Sequence, residues 1–428
     1  MSSTAEIPIT VTPIAVSRTK RNIANLAHVV GGEALLRISN FFVAVAIARL
    51  GGATVFGMYA TALAYITIAV MVFDNGLQVS AVREIGARPR EVDHTTTRLV
   101  VSKTLLFGAM VVALLLIARI ADLSNFAWTI GALIVLRTAM QSYCQLEIAV
   151  MKAIDRVQVV GAIQGAHAAF LLAAMAWCYF FRQSVVTVLW VLVLGQILEL
   201  LVEALWLWRN GLRVVRVTLS ECWRLLSGST TIGIVIGLTI VILRLDVIVL
   251  SWVKGAGEAG VFAAAQTAIT MVYVVAWLTA SVLLADMTRL SADPPALQSF
   301  IQHWTKLILA VSIPASLFGI AAGPPLLRIL FGPGFGATGT LLAIMLPAVP
   351  VILLNSLYLY FAIAVHAVRQ YLGIFVGAAL LTLALALVLD SRFGATGAAI
   401  TVLLREAAIL VMFMLWLCPI KLGESSTA

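Results

Sequence analysis

The sequence predicts an all-α integral membrane protein, with about twelve transmembrane helices in two six-helix lobes around a central cavity. Three observations predict it. Of the 428 residues, 62% are hydrophobic and 11% charged, with a mean hydropathy of +1.06, whereas soluble domains carry roughly half apolar and a quarter charged residues. The apolar residues gather into stretches of the ~20 needed to cross a bilayer. Finally, the basic residues concentrate on alternate connections, as a fixed orientation in a membrane requires.

The first 25 residues have no apolar core ahead of Arg18, Lys20 and Arg21, so they predict a cytoplasmic tail and not a cleaved signal peptide. Spans follow near residues 26–48, 56–78, 99–118, 127–149, 159–181, 185–207, 229–252, 260–284, 305–325, 338–364, 370–389 and 395–418. The basic connection 208–228 reads as the linker between an N-lobe of residues 26–207 and a C-lobe of residues 229–418. Residues 419–428 read as a second tail. Placing both termini and the even-to-odd connections on one side, with Lys103 and Lys306 at the starts of their spans counted among these loop cations, collects 18 of the 28 Lys and Arg residues there, against 6 on the opposite side and 4 deep inside spans. The positive-inside rule makes the richer side the cytoplasm.

This asymmetry accounts for the net charge of +9 without a nucleic-acid partner; the expected surroundings are the lipid bilayer. The loops are too short for a soluble catalytic or nucleotide-binding domain, and the chain is not expected to be an enzyme. Cys144, Cys178, Cys222 and Cys418 show neither paired nor metal-ligand spacing, so no disulfide, metal or cofactor is expected.

The chain also repeats itself. The outer loop after the first span, "GGATVFGMYATA" (Gly51 to Ala62), matches the loop after the seventh, "KGAGEAGVFAAA" (Lys254 to Ala265), at Gly52/Gly255, Ala53/Ala256, Gly57/Gly260, Ala60/Ala263 and Ala62/Ala265. The match pairs the first helix of each six-helix half, which implies two similar lobes in the same orientation. "FGATG" occurs at Phe335 to Gly339 and again at Phe393 to Gly397, where a Gly-rich turn used twice and a functional role are both open. Pro314, Pro347 and Pro350 fall inside the ninth and tenth spans and predict bends there.

Four cations lie inside spans: Arg37, Arg137, Arg244 and Arg405. A charge at the bilayer centre costs about 2.5–3.5 kcal/mol on the insertion scale, and snorkelling relieves it only near helix ends. Lining a wet cavity is the economical account. The alternative for Arg37 is an ion pair with Glu33 one turn away, and for Arg405 a partner on a neighbouring helix. Asn40 shares the helix face of Glu33 and Arg37, and Gln141 and Gln145 extend Arg137 into a polar stripe at i+4 and i+8. Arg37, Arg137, Arg244, Arg405, Gln141 and Asn40 are therefore candidate substrate-binding residues, suited to an anionic head group that forked guanidinium bonds grip. Glu33, Asp74, Asp246 and His167 are candidates for ion coupling, the last because histidine titrates near neutrality. Glu199 and Glu203 resemble paired carboxylates at i, i+4, with nothing at enzyme-like spacing beside them.

The stretch "ARLGGATVFGMYATALAYITIAVMVFDNGLQVSAVREIGA" resembles the N-terminal signature of Wzx-type oligosaccharide flippases. It has a glycine-bounded outer loop, an aromatic start to the second helix, an Asp-x-Gly-Leu end and an Arg-Glu pair. "RLDVIVLSWVKGAGEAGVFAAA" is similar to that family's seventh-helix segment, while "LLRILFGPGFGATGTLLAIM" and "FGATGAAITVLLRE" resemble its C-terminal half. The resemblance implies an alternating-access transporter of the bacterial inner membrane that moves an undecaprenyl-pyrophosphate-linked oligosaccharide to the outer leaflet. It would serve O-antigen, capsule or exopolysaccharide synthesis, with the pathway's polymerase and chain-length regulator as expected partners. Two rival readings stand beside it. A MATE-like exporter of organic cations shares the fold but would meet four repelling arginines, and a membrane polysaccharide polymerase or ligase would need a long external loop.

Overall fold

The computed structural model describes residues 14–74, 76–87, 89–120, 125–154, 156–365 and 368–417. The expected tail 419–428, Cys418 and residues 1–13 lie outside the described residues. The long elements are α1 (Ile14–Asp74), α2 (Leu77–Ala87), α3 (Val92–Ile120), α4 (Asn125–Ala153), α5 (Val157–Phe180), α6 (Val185–Arg209) and α7 (Leu219–Lys254), followed by α8 (Ala256–Leu290), α9 (Pro294–Phe331), α10 (Thr338–Met345), α11 (Ala348–Ala364), α12 (Val368–Leu385) and α13 (Ala395–Leu417). No strand occurs among the described residues. Large apolar side chains such as Phe180, Phe318 and Leu201 are exposed, as befits a protein whose solvent is hydrocarbon.

Eight helices are long and apolar enough to cross a membrane, or nine if the bent pair α10 and α11 counts as one. One of them, Gly31–Met71, has 41 residues, about twice what a span needs, and breaks at Gly52 (φ 74°, ψ −179°). It thus takes in most of both the first and the second expected span. The helices α4 and α7 are long enough but lie outside this set, and each carries charged residues within it: Arg137 and Glu147, Arg244 and Asp246. Two boundaries move relative to expectation. Helix α1 already begins at Ile14, inside the predicted tail. Helix α7 begins at Leu219, inside the predicted linker, where Glu221 Oε2 accepts the Thr218 N–H at 2.8 Å. That bond holds the Glu221 carboxyl below the usual carboxylate range. The extended residues before it are tied to the first half, since Asp93 accepts from Arg213 N and Thr97 from Val215 N.

The main apolar core joins the two halves, running from Val43 and Ile47 of α1 through Leu189 of α6 to Phe262 of α8 and Phe331 of α9. Smaller cores sit under it: around Leu99 and Leu146 with Leu225 and Leu226 of α7, and around Leu357 and Tyr360 in the second half. The predicted loop repeat meets itself at this junction. Gly52 and Gly255 (φ 87°, ψ 174°) share one backbone conformation, a region open essentially to glycine alone. A Cβ on Gly57 would lie 1.7 Å from the Ala256 carbonyl oxygen, and one on Gly260 would lie 1.9 Å from that of Ala53. Equivalent glycines therefore cross equivalent backbones in a reciprocal contact. Beside it, Arg49 reaches over to the last carbonyls of α9, those of Ile329 and Leu330, while also donating to the Tyr179 hydroxyl. A cation at a helix C-terminus is favoured by the dipole.

The proline expectation is met at one site. Helices α10 and α11 meet at 49°, with Pro347 at the break. Pro350 has no N–H for the Leu346 carbonyl four residues back. That carbonyl instead accepts from the Ser316 hydroxyl of α9 at 2.6 Å and from Val349 N at 2.9 Å. The two "FGATG" copies differ in structure: Phe335 is buried among Phe56 and Phe331, whereas Phe393 is exposed. Only Gly394 of the second copy has positive φ, 59°, and there Glu258 of α8 accepts from Ala395 N at the start of α13.

Candidate functional site

On α1, close approach to α5 is permitted by Gly32 and Gly161, where a Cβ on Gly32 would meet the Gly161 oxygen at 2.7 Å. One turn further along, Arg37 Nη2 contacts Glu33 Oε1 at 3.1 Å, and its side chain is 46% exposed. Asn40 donates to the Leu36 carbonyl and accepts from Arg137 Nη2 of α4, both at 2.8 Å. The α1 and α4 members of the predicted set are thereby brought together, with Gln141 half-buried one turn beyond Arg137. No carboxylate lies within ion-pair distance of Arg137 among the described residues.

Arg244 of α7 is partly buried in electrostatic contact with Tyr59 of α1. Asp246, two residues on, points away into the second half. It accepts from Arg405 Nη1 of α13 at 2.8 Å. The Arg405 guanidinium engages four of its five N–H donors, since it also donates to the Ile242 carbonyl, the Tyr273 hydroxyl and Glu406 Oε1. Tyr273 in turn donates to Glu406 at 2.7 Å, and Asn355 donates to its other oxygen. With 1% of its surface exposed, Arg405 ties α7, α8, α11 and α13 together and faces no open space in this conformation.

Asp74 likewise has a buried counter-charge. Lys103 of α3, 0% exposed, pairs with it and donates to the Ser142 carbonyl, and the Ser142 hydroxyl donates to Asp74. His167 Nδ1 of α5 lies 2.6 Å from Glu199 Oε2 of α6. Sequence reasoning missed the parts played by Lys103, Glu406, Tyr273 and Asn355. Lys103 was counted with the loop cations, and Glu406 carried one signal, its place directly after Arg405.

An apolar cavity of about 230 Å³ opens between the halves. It is lined by Ile38 and Phe41 of α1, Met271 of α8, Leu326 and Leu330 of α9 and Leu342 of α10, with no polar side chain in its wall. A helix that carries Arg37 and the Asn40 partner of Arg137 and also lines an apolar cleft suits an amphiphile with an anionic head.

Solved structures share this architecture. Lipid II flippase MurJ in an inward closed conformation superimposes with a TM-score of 0.73 at 12% identity, over 90% of this chain and 86% of that one. An inward-facing multidrug resistance MATE family transporter of the MOP superfamily gives 0.71 at 13%, over 90% and 97%. A MOP superfamily transporter from Pyrococcus furiosus, described as having a binding pocket of reversed polarity, gives 0.64 at 15%, over 92% and 94%. No curated protein matches the sequence. The fold therefore defines a multi-pass membrane protein with the architecture of MOP superfamily transporters. Residues 22–288 match the family model described as polysaccharide biosynthesis protein, well over half of the chain, and the protein belongs to that family.

Proposed function

We propose that the protein is a flippase that carries an undecaprenyl-pyrophosphate-linked oligosaccharide across the bacterial inner membrane by alternating access. The observation that supports it most is that one helix, α1, carries Arg37 and the Asn40 partner of Arg137 within the same two turns as Ile38 and Phe41, which line an all-apolar cleft. Pyrophosphate suits the guanidinium forks of Arg37, Arg137 and Arg244, and a polyprenyl chain suits the cleft. Arg405 is not part of this anion site as proposed, because it is buried and paired with Asp246 and Glu406. The N-lobe of residues 26–207 and the C-lobe of residues 229–418 rock against each other, opening and closing the glycine crossing, with both termini in the cytoplasm. Polymerase and chain-length regulator are the partners this reading implies.

The test is a bacterial strain lacking its own flippase for a known surface glycan. Expression of this chain restores surface polysaccharide and clears lipid-linked repeat units from the inner leaflet. The MATE-type neighbours favour a second reading, export of organic cations. Drug resistance on expression, with no restored glycan, would establish that reading instead.

A further inference from the structure

The first half holds a set of titratable groups that the anion site does not use. Glu203 of α6 is 0% exposed, and neither of its carboxylate oxygens has a hydrogen-bond partner. One turn back, Glu199 is buried, held by Gln196 Nε2 at 2.6 Å and by His167 Nδ1 at 2.6 Å. From α4, Cys144 packs against Gln196, its sulfur 3.2 Å from Gln196 Nε2, with its thiol facing Glu203, and Glu147 approaches Glu203 with one buried, unpartnered oxygen. From α5, Gln164 adds another unpartnered buried oxygen. The cation in electrostatic range, Lys103 of α3, is already engaged by Asp74, and α1 brings no charged side chain into ion-pair distance among the described residues.

With His167 charged and all three carboxylates ionised, the cluster would hold two uncompensated negative charges inside a bilayer. A buried carboxylate without a partner neutralises itself instead. Protonation is the direct way for such a carboxylate to lose its charge. We propose that Glu147, His167, Glu199 and Glu203 form a proton-binding site, with Glu203 carrying the proton that the transport cycle exchanges. Glu147 is the one partly exposed carboxylate of the three, near the end of α4 that bears Lys152, and the Glu199–Glu203 turn lies toward the Arg209 end of α6. The proton leaves the Glu203 carboxyl, passes to the Glu147 carboxylate and from there to water at the linker end of the bundle. Reloading follows the reverse route. His167 and Glu199, 2.6 Å apart, set the charge that Glu203 meets.

The experiment has two arms. In the purified protein, infrared difference spectra on a pH titration show the carbonyl stretch of a protonated carboxylic acid, lost in Glu203→Gln and moved in midpoint by His167→Asn. In the complemented strain, Glu203→Gln reaches the membrane at wild-type level, because glutamine matches the protonated acid in shape, yet loses surface-glycan export. Superimposable spectra from wild type and Glu203→Gln would overturn the proton site, and full export by Glu203→Gln would overturn its coupling. The export arm rests on the flippase reading, whereas the spectroscopic arm does not; failure of the wild-type chain to complement would count against that reading alone.

Discussion

At the scale of single residues, charge inside the bilayer is handled in two ways. Asp74, Asp246 and Arg405 sit in buried ion pairs, whereas Arg37, half exposed, pairs with Glu33 of its own helix and the buried Arg137 reaches Asn40 of α1. If Arg37 grips phosphate, Arg37→Lys keeps partial export, Arg37→Ala loses most of it and Arg37→Glu loses all, at constant membrane level. Lysine keeps the charge without the fork, alanine removes it and glutamate repels the ligand. Restored export in Glu33→Ala with Arg37→Ala would show instead that Arg37 only balances Glu33. Arg405→Leu strands Asp246 and Glu406, and breaking a buried pair from one side costs about 3–5 kcal/mol. Its expected signature is a lowered melting temperature in detergent and little protein in the membrane.

At the scale of elements, backbone geometry decides how closely helices approach. The reciprocal crossing of Gly57 and Gly260 leaves no space for a methyl group. Overpacking typically costs 1–3 kcal/mol, and here the opposing atom is a backbone carbonyl that no rotamer change moves aside. Gly260→Ala is expected to force α8 away from the second half of α1, read as lower thermal stability and impaired export. The break between α10 and α11 works differently, since Ser316 takes up the carbonyl that Pro350 frees.

At the scale of the whole molecule, the Gly52 end of the bundle holds the halves together through the glycine crossing and the Arg49 bridge. Alternating access requires these contacts to open. A Cβ on Gly257 would lie 3.7 Å from the Thr54 hydroxyl, so the pair Thr54→Cys and Gly257→Cys is expected to cross-link under mild oxidation. Cross-linking stops export and reduction restores it; export by the cross-linked protein would rule out opening at this end. Orientation is checked by reporters, cytoplasmic after Arg90 or Arg216 and periplasmic after Gly52, Gly334 or Arg392.

The sequence by itself determined the class of fold, because twenty-residue apolar stretches and the cost of charge in lipid allow few alternatives to a helical bundle. It also showed the loop repeat, whose glycines were legible because their backbone conformation admits little else. It did not show which intramembrane charges are free and which are spent. Arg37 and Arg405 look alike along the chain, each a lone arginine in mid-span, yet one is half exposed beside Glu33 and the other is sealed among Asp246, Tyr273 and Glu406. The same holds for Lys103, read as a loop cation and found as the counter-charge of Asp74. Pairing across helices depends on which faces the tertiary packing brings within about 3 Å, and a one-dimensional pattern carries helix faces but not their neighbours. Only the folded bundle decided that Glu203 would be left without a partner.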